Sequence, residues 1–297
     1  MHPLFAQLTA RGPAITDGAW GTQLQARGLA PGECPDVWNL THPGAVESVA
    51  RAYVEAGSDV ILTNTFGANR IALGRHGLAG QAVEINRAGA AISRRAAAGR
   101  ARVFASLGPS GSLVAAGEVA PDDLRAAFEE QARALADAGV DALLLETFAD
   151  LDELRVALAA AKATGLPVVA SLVFDSGPAK DRTMTGATPE QAARAAAEAG
   201  ADAVGANCGR GIEGYIPIGP RLRAATTLPL WMKPNAGLPE SIGGKTVYTT
   251  TPADFAARVP ALVKAGAAFV GACCGSTPDF IRAIRRSDEF CETVCSQ

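Results

Sequence analysis

The chain has 297 residues, of which 48% are hydrophobic and 19% charged, and its 27 Lys and Arg against 30 Asp and Glu give a formal net charge of −3. That balance lacks the basic field of a nucleic-acid binder, and with 5% aromatic residues there is no base-stacking surface. The apolar content is too high for a disordered chain, so the 32 Gly and 18 Pro read as tight turns. No run approaches the ~18 apolar residues of a membrane span, and the start of the chain lacks the basic and apolar regions of a signal peptide. A cytoplasmic location with reduced thiols is expected.

In chain order, the first strand is Ala14-Ile15-Thr16, closed by Asp17. The next is carried by Ala56-Gly57-Ser58-Asp59-Val60-Ile61-Leu62-Thr63, and the third by residues 103–107. Ala138-Gly139-Val140-Asp141-Ala142-Leu143-Leu144-Leu145 repeats the grammar of the second, and residues 168–173 give a fifth strand. The remaining three come from Ala199-Gly200-Ala201-Asp202-Ala203-Val204-Gly205-Ala206, from residues 228–232, and from Ala265-Gly266-Ala267-Ala268-Phe269-Val270-Gly271-Ala272. In the four longer segments a glycine ends an Ala-rich helix and leads straight into a strand. The strands are apolar on both parities, as parallel strands buried on both faces must be. Residues 121–138 and 189–199 are amphipathic helices between them. Pro43, Pro121, Pro189, Pro252 and Pro278 mark helix starts, with Asp122, Thr188, Thr251 and Thr277 as candidate caps.

Eight strands alternating with helices predict one (β/α)8 TIM barrel over residues 1–297, with no linker long enough to divide it. The competing fold, a doubly wound open sheet, calls for a glycine-rich phosphate turn after the first strand. Asp17-Gly18-Ala19-Trp20-Gly21-Thr22 is not that turn.

A barrel gathers its active site at the carboxyl ends of the strands. Those ends carry Asp17, Asn64 and Thr65, Glu146 and Thr147, Asn207 and Cys208, Lys233 to Asn235, and Cys273 with Cys274. Three thiols converging on one rim make a Zn²⁺ site with an open fourth position. Adjacent cysteines can face one ion only where the strand breaks, and Gly271 and Gly275 are read as supplying that freedom. Small buried cysteines and a strained vicinal disulfide are the alternative readings. A three-thiolate zinc is a weak Lewis acid but holds a further thiolate well, so alkyl transfer onto a thiol is its natural chemistry. Glu146 follows four apolar residues, where an ionised carboxylate needs a partner. Asp17 reads either as a binding anion or as a turn residue.

Asp17-Gly18-Ala19-Trp20-Gly21-Thr22, Thr63-Asn64-Thr65-Phe66-Gly67-Ala68-Asn69, Gly205-Ala206-Asn207-Cys208-Gly209, Pro234-Asn235-Ala236-Gly237-Leu238-Pro239 and Gly271-Ala272-Cys273-Cys274-Gly275 resemble the homocysteine S-methyltransferases. The resemblance runs from about residue 12 to 286, and its specific part is the Cys208, Cys273-Cys274 pattern. It implies a zinc-dependent barrel that methylates L-homocysteine to methionine, with Cys208, Cys273 and Cys274 on the metal. The substrate residues it implies are Asp17, Gly18, Thr65, Glu146, Asn207 and Asn235. Asp17 and Glu146 would take the ammonium, and backbone N–H groups around Gly18 the carboxylate.

The segments around Asn64 and Asn235 are most similar to the homocysteine domain of cobalamin-dependent methionine synthase. Gly67-Ala68 and Thr147 stand where the betaine-using branch carries tyrosines, although Trp20 and Trp38 offer aromatic faces. No second barrel and no Asp-x-His-x-x-Gly signature occurs, so methylcobalamin is expected on a separate corrinoid protein. That partner would dock over loops 34–42, 175–189 and 209–221, with Lys180, Asp181, Arg182 and Arg210 at the rim. S-methylmethionine or betaine as donor, a non-catalytic subunit of a corrinoid system, and a redox protein using Cys273 and Cys274 are the alternative readings. Cys34 and the pair Cys291 and Cys295 receive no role.

Overall fold

The computed structural model describes residues 1–112, 114–242 and 245–287. Its main sheet has eight parallel strands: β1 (Ala14–Ile15), β2 (Val60–Leu62), β3 (Arg102–Leu107), β4 (Ala142–Phe148), β5 (Val168–Leu172), β6 (Ala203–Gly211), β7 (Leu230–Asn235) and β10 (Ala267–Val270). The order β1-β10-β7-β6-β5-β4-β3-β2 closes on itself through a parallel bridge between Thr16 and Val60. Helices follow the strands around the outside, so the fold is the expected single (β/α)8 barrel.

The sequence grammar is visible in the caps. Pro43–Ala56 ends at Gly57 with φ 99°, and Ser58 and Asp59 then lead into β2. Thr188, Thr251 and Thr277 cap the helices that begin at Pro189, Pro252 and Pro278, the first with a full capping box. Asp122 does not cap. The helix Pro121–Asp137 starts from Ala120, and Asp122 lies in its first turn, where a carboxylate favours the positive end of the helix dipole.

The two ends of the barrel differ. At the amino ends of the strands, the short helix Pro3–Leu8 inserts Phe5 between Phe104 and Phe269, and Trp231 lies over Phe104 at 5.9 Å. This apolar plug closes the bottom. At the carboxyl ends, two strands run further than the sequence implied. β4 and β6 continue through Glu146–Thr147 and Asn207–Cys208, each with a shift of register against its neighbour. An antiparallel hairpin absent from the sequence reading, β8 (Pro239–Ile242) and β9 (Lys245–Tyr248), rises from the loop after β7. No helix among the described residues is long and apolar enough to cross a membrane.

Candidate metal centre and substrate pocket

Cys208 sits inside the irregular stretch of β6 at φ 64°, a left-handed conformation that non-glycine residues seldom adopt. The register of β6 against β7 shifts between Asn207 and Gly211, and the Tyr215 hydroxyl donates to the Cys208 carbonyl at 2.6 Å. Such bulges re-aim side chains next to functional sites. Cys273 and Cys274 lie beyond β10, strapped to β7 on both sides. The Cys273 N–H donates to the Pro234 carbonyl at 2.8 Å, and the Ala236 N–H donates to that of Cys274 at 2.9 Å.

The two flanking glycines have different tasks. Gly275, at φ 81°, takes the left-handed turn and lies under the Tyr248 ring, which a Cβ there would overlap. Gly271 supplies space rather than turning freedom, since a Cβ on it would run into the Thr16 hydroxyl and the Asp17 carbonyl.

The Sγ atoms of Cys208, Cys273 and Cys274 all lie within 4.8 Å of one another, and those of Cys208 and Cys274 are 3.8 Å apart. Sulfurs ~2.3 Å from a tetrahedral zinc stand ~3.8 Å apart, which is the separation of the Cys208 and Cys274 sulfurs, and the Cys273 sulfur lies within 4.8 Å of both. No other cluster of His, Cys, Asp or Glu among the described residues packs this closely. The thiols are half-buried and free. Hydrogen bonding to Cys273 and Cys274 pulls the Cys208 thiol well below its usual range, while the same contacts push those two up. A cluster that gives up its first proton readily is suited to a divalent cation.

Beside the thiols lies a buried charged group. Asp17 is fully buried; its Oδ2 accepts from the Trp20 indole N–H and the Leu62 N–H, both at 2.8 Å, and its Oδ1 is 2.5 Å from Lys233 Nζ. Glu146 is buried too. Its Oε1 accepts from the Ser106 hydroxyl, and its Oε2 has only a long 3.4 Å contact from Asn207 Nδ2. Burial pushes its carboxyl up to about 7, against the opposing pull of Lys233. Asn207 is the junction of this wall. Its Oδ1 accepts from the Thr147 N–H at 2.8 Å and the Ser171 hydroxyl at 2.7 Å, and its Nδ2 donates to the Thr147 hydroxyl at 2.7 Å. Thr147, at φ 64°, is the second non-glycine residue held left-handed at this rim.

The other expected residues have distinct settings. A Cβ on Gly18 would stand 2.6 Å from the Ser276 hydroxyl and 2.7 Å from the Tyr53 hydroxyl, so only glycine fits. The next amide, that of Ala19, already donates to Ser276. Thr65 is fully buried in a closed ring of hydrogen bonds, Ser106 N–H to Thr63 hydroxyl to Thr65 hydroxyl to Ser106 carbonyl. Asn235 is buried beside Cys273 and Cys274, and its Oδ1 has no hydrogen-bond partner among the described residues, leaving an acceptor unspent at this end of β7.

Loop 34–42 is less open than a docking loop would be. Cys34, Asp36, Trp38 and Asn39 are all buried. Asn39 Nδ2 donates to the Asn64 carbonyl, and Asp36 accepts from the Gly67 N–H. Trp38 is packing, with its indole N–H on Glu33 and its face on His42. At the other two loops, Asp181 pairs with Arg221 at 2.5 Å, and Arg210 reaches back toward the Lys180 carbonyl at 3.3 Å. Cys291 and Cys295 lie outside the described residues. The sequence reading gave no role to Lys233, Ser106, Ser171 or Tyr248. A lysine directly after Leu230-Trp231-Met232 carries the same signal as Glu146, because a buried charge implies a partner. Tyr248 had no signal, since its place depends on the hairpin.

The family model for homocysteine S-methyltransferase matches residues 14–287. The chain is 32% identical over 289 residues to a methionine synthase of Mycobacterium tuberculosis and 31% identical over 297 residues to one of Mycobacterium leprae. These alignments cover 91% and 93% of this chain but 24% of each relative, so the chain spans about a quarter of their length. The barrel superposes on the metallated form of the homocysteine methyltransferase MmuM from Escherichia coli with a TM-score of 0.79 at 24% identity, covering 96% of this chain and all of that one. Its oxidized form gives 0.78 at 23%, covering 95% and 99%. At these identities the two structures speak for the fold. The family match spans nearly the whole barrel and the strand ends where the thiols and carboxylates meet, and the chain belongs to the homocysteine S-methyltransferase family.

Proposed function

We propose that this barrel moves a methyl group onto the thiolate of L-homocysteine to give methionine, using Zn²⁺ held by Cys208, Cys273 and Cys274. The observation that carries this reading is the thiol trio, its sulfurs within 4.8 Å of one another, beside two buried carboxylates. Bound there, zinc would supply charge that keeps the substrate sulfur deprotonated at neutral pH. The chain's own residues do the rest. Glu146 and Asp17 are the anions for the amino group, and Asn207 with Ser106 fixes the Glu146 carboxylate so that the substrate meets a set geometry. The carboxylate of the substrate goes to backbone donors near Gly18. Thr65 shapes the floor, and the open acceptor of Asn235 faces the bound molecule. No protein nucleophile is needed, since the acceptor sulfur attacks the methyl group directly.

The donor in this reading is methylcobalamin on a corrinoid protein or module outside these 297 residues, in keeping with relatives about four times as long that are named methionine synthases. That partner meets the barrel mouth over loops 175–189 and 209–221 more than over the buried loop 34–42. The setting is the cytoplasm, where the thiols stay reduced.

Methionine formation from homocysteine and free methylcobalamin by zinc-loaded protein tests this directly. Zinc-dependent turnover is the expected result. Homocysteine binding without turnover would move the donor to S-methylmethionine or betaine. Absence of homocysteine binding would overturn the reading.

A further inference from the structure

Strand β4 changes faces where the site begins. Ala142 and Leu144 belong to the core inside the barrel, and Leu143 and Leu145 to the core between strands and helices. Strict alternation would turn Glu146 inward and, two residues later, Phe148 as well. Phe148 instead belongs to the outer core, fully buried with its ring 6.0 Å from that of Phe128. One extra residue makes this possible: β4 takes three steps from Leu145 to Phe148, while β5 takes two from Ala170 to Leu172. Thr147, at φ 64°, absorbs the reset. For a β-branched side chain that conformation is an outlier, and it persists only where the surroundings enforce it.

Asn207 supplies the enforcement. The Thr147 N–H can only donate, which fixes the Asn207 oxygen on that side, and the Ser171 hydroxyl donates to the same oxygen. Nδ2 spends its two hydrogens on the Thr147 hydroxyl at 2.7 Å and on Glu146 Oε2 at 3.4 Å. The amide's two acceptor positions and two donors are thus used within the wall, and Asn207 has no exposed surface. Nothing remains of it to hold a ligand.

Resting on the functional reading above, we infer that Asn207 is a positioning residue and not a substrate ligand: reaching from β6 across β5, anchored on Ser171, it holds Thr147 left-handed. That turn keeps Glu146 in the pocket while Phe148 stays outside. When the brace is lost, the buried Phe148 ring keeps its place among the helices, and Glu146, held chiefly by the Ser106 hydroxyl, leaves the pocket.

The test is rescue by glycine. Asn207→Ala leaves Thr147 unbraced, whereas a glycine at 147 takes the left-handed turn unaided. Calorimetry on zinc-loaded wild type, Asn207→Ala, Thr147→Gly and the double variant would be run with two ligands. One is L-homocysteine and the other 4-mercaptobutyrate, which keeps the thiol and carboxylate but lacks the amino group. Asn207→Ala should bind homocysteine about tenfold or more weakly, with zinc content kept and 4-mercaptobutyrate held within about threefold of wild type, since only the amino group has lost its partner. The double variant should recover homocysteine to within about threefold of the Thr147→Gly protein. A double variant as weak as Asn207→Ala would overturn the inference and make Asn207 a direct ligand. So would an Asn207→Ala that binds homocysteine as wild type does, or a Thr147→Gly that no longer binds it. Loss of zinc, or equal loss of both ligands, in Asn207→Ala would overturn it as well, placing the work of Asn207 on Cys208 or on the fold at large. If Asn207→Ala does not fold, Asn207→Ser, too short to span β5, replaces it with the same outcomes. A wild type that ignores homocysteine fails the functional reading and is told apart from these results at the first titration.

Discussion

The inner faces of the same eight strands build an apolar plug at one end and a polar pocket at the other. Along β3 the inward positions run from Phe104 to Ser106, along β7 from Trp231 to Lys233, along β4 from Leu144 to Glu146, and along β5 from Val169 to Ser171. Two residues of advance convert an apolar layer into a polar one, because alternate residues of a barrel strand share a face and stack in layers. The lower layer gains its energy from contact, as in the 5.4 Å edge packing of Phe5 on Phe269. The upper layer is held by hydrogen bonds such as those of Ser106 on Glu146 and Ser171 on Asn207. Stability and chemistry are thus separated along one axis, and substitutions should sort by layer.

The largest effect belongs to the thiols. Cys208→Ala should lower turnover by about a thousandfold or more and drop zinc content toward zero, read by metal analysis on the same sample as the rate, while the fold survives. Full zinc and full rate in this variant would remove the distinction between the layers. Glu146→Gln should act on binding, raising KM for homocysteine by about ten- to a hundredfold with a smaller change in kcat, measured by initial rates.

Acid should imitate that variant. The Glu146 carboxyl is pushed up to about 7 by burial, so it takes up a proton as the pH falls through that value and loses its attraction for the substrate ammonium. KM for homocysteine should rise by about tenfold per unit below pH 7 and stay level above it, and Glu146→Gln should flatten that limb of the profile. A profile that is the same in the variant would assign the limb to another group. At the other end of the barrel, Phe5→Ala should cost about 3–5 kcal/mol in denaturant unfolding and leave kcat/KM within about twofold at a temperature where the protein is folded. A large loss of activity there would show the two layers to be coupled.

How far this division was legible in the sequence depended on the residue. The barrel was readable because the helix, glycine and strand grammar is local, and Gly57 adopts the left-handed turn that its place demands. The thiol trio was readable because cysteines at the ends of β6 and β10 have few other uses there. The pairing of Asp17 with Lys233 was not, because it joins positions 216 residues apart and appears only when β1 and β7 are brought to either side of β10. The bulges at Thr147 and Cys208 were hidden for the opposite reason. They are local, but a non-glycine residue at positive φ leaves no mark in composition or periodicity. The hairpin that brings Tyr248 over Gly275 was missed because two four-residue strands carry too short a pattern to stand out from a loop.

The central claim is that three thiols hold the metal and leave its fourth position to the substrate sulfur. Zinc-edge X-ray absorption on the loaded protein, before and after L-homocysteine, tests it most directly. Three sulfur neighbours rising to four on addition is the predicted result; a sulfur count that does not change on addition would contradict it.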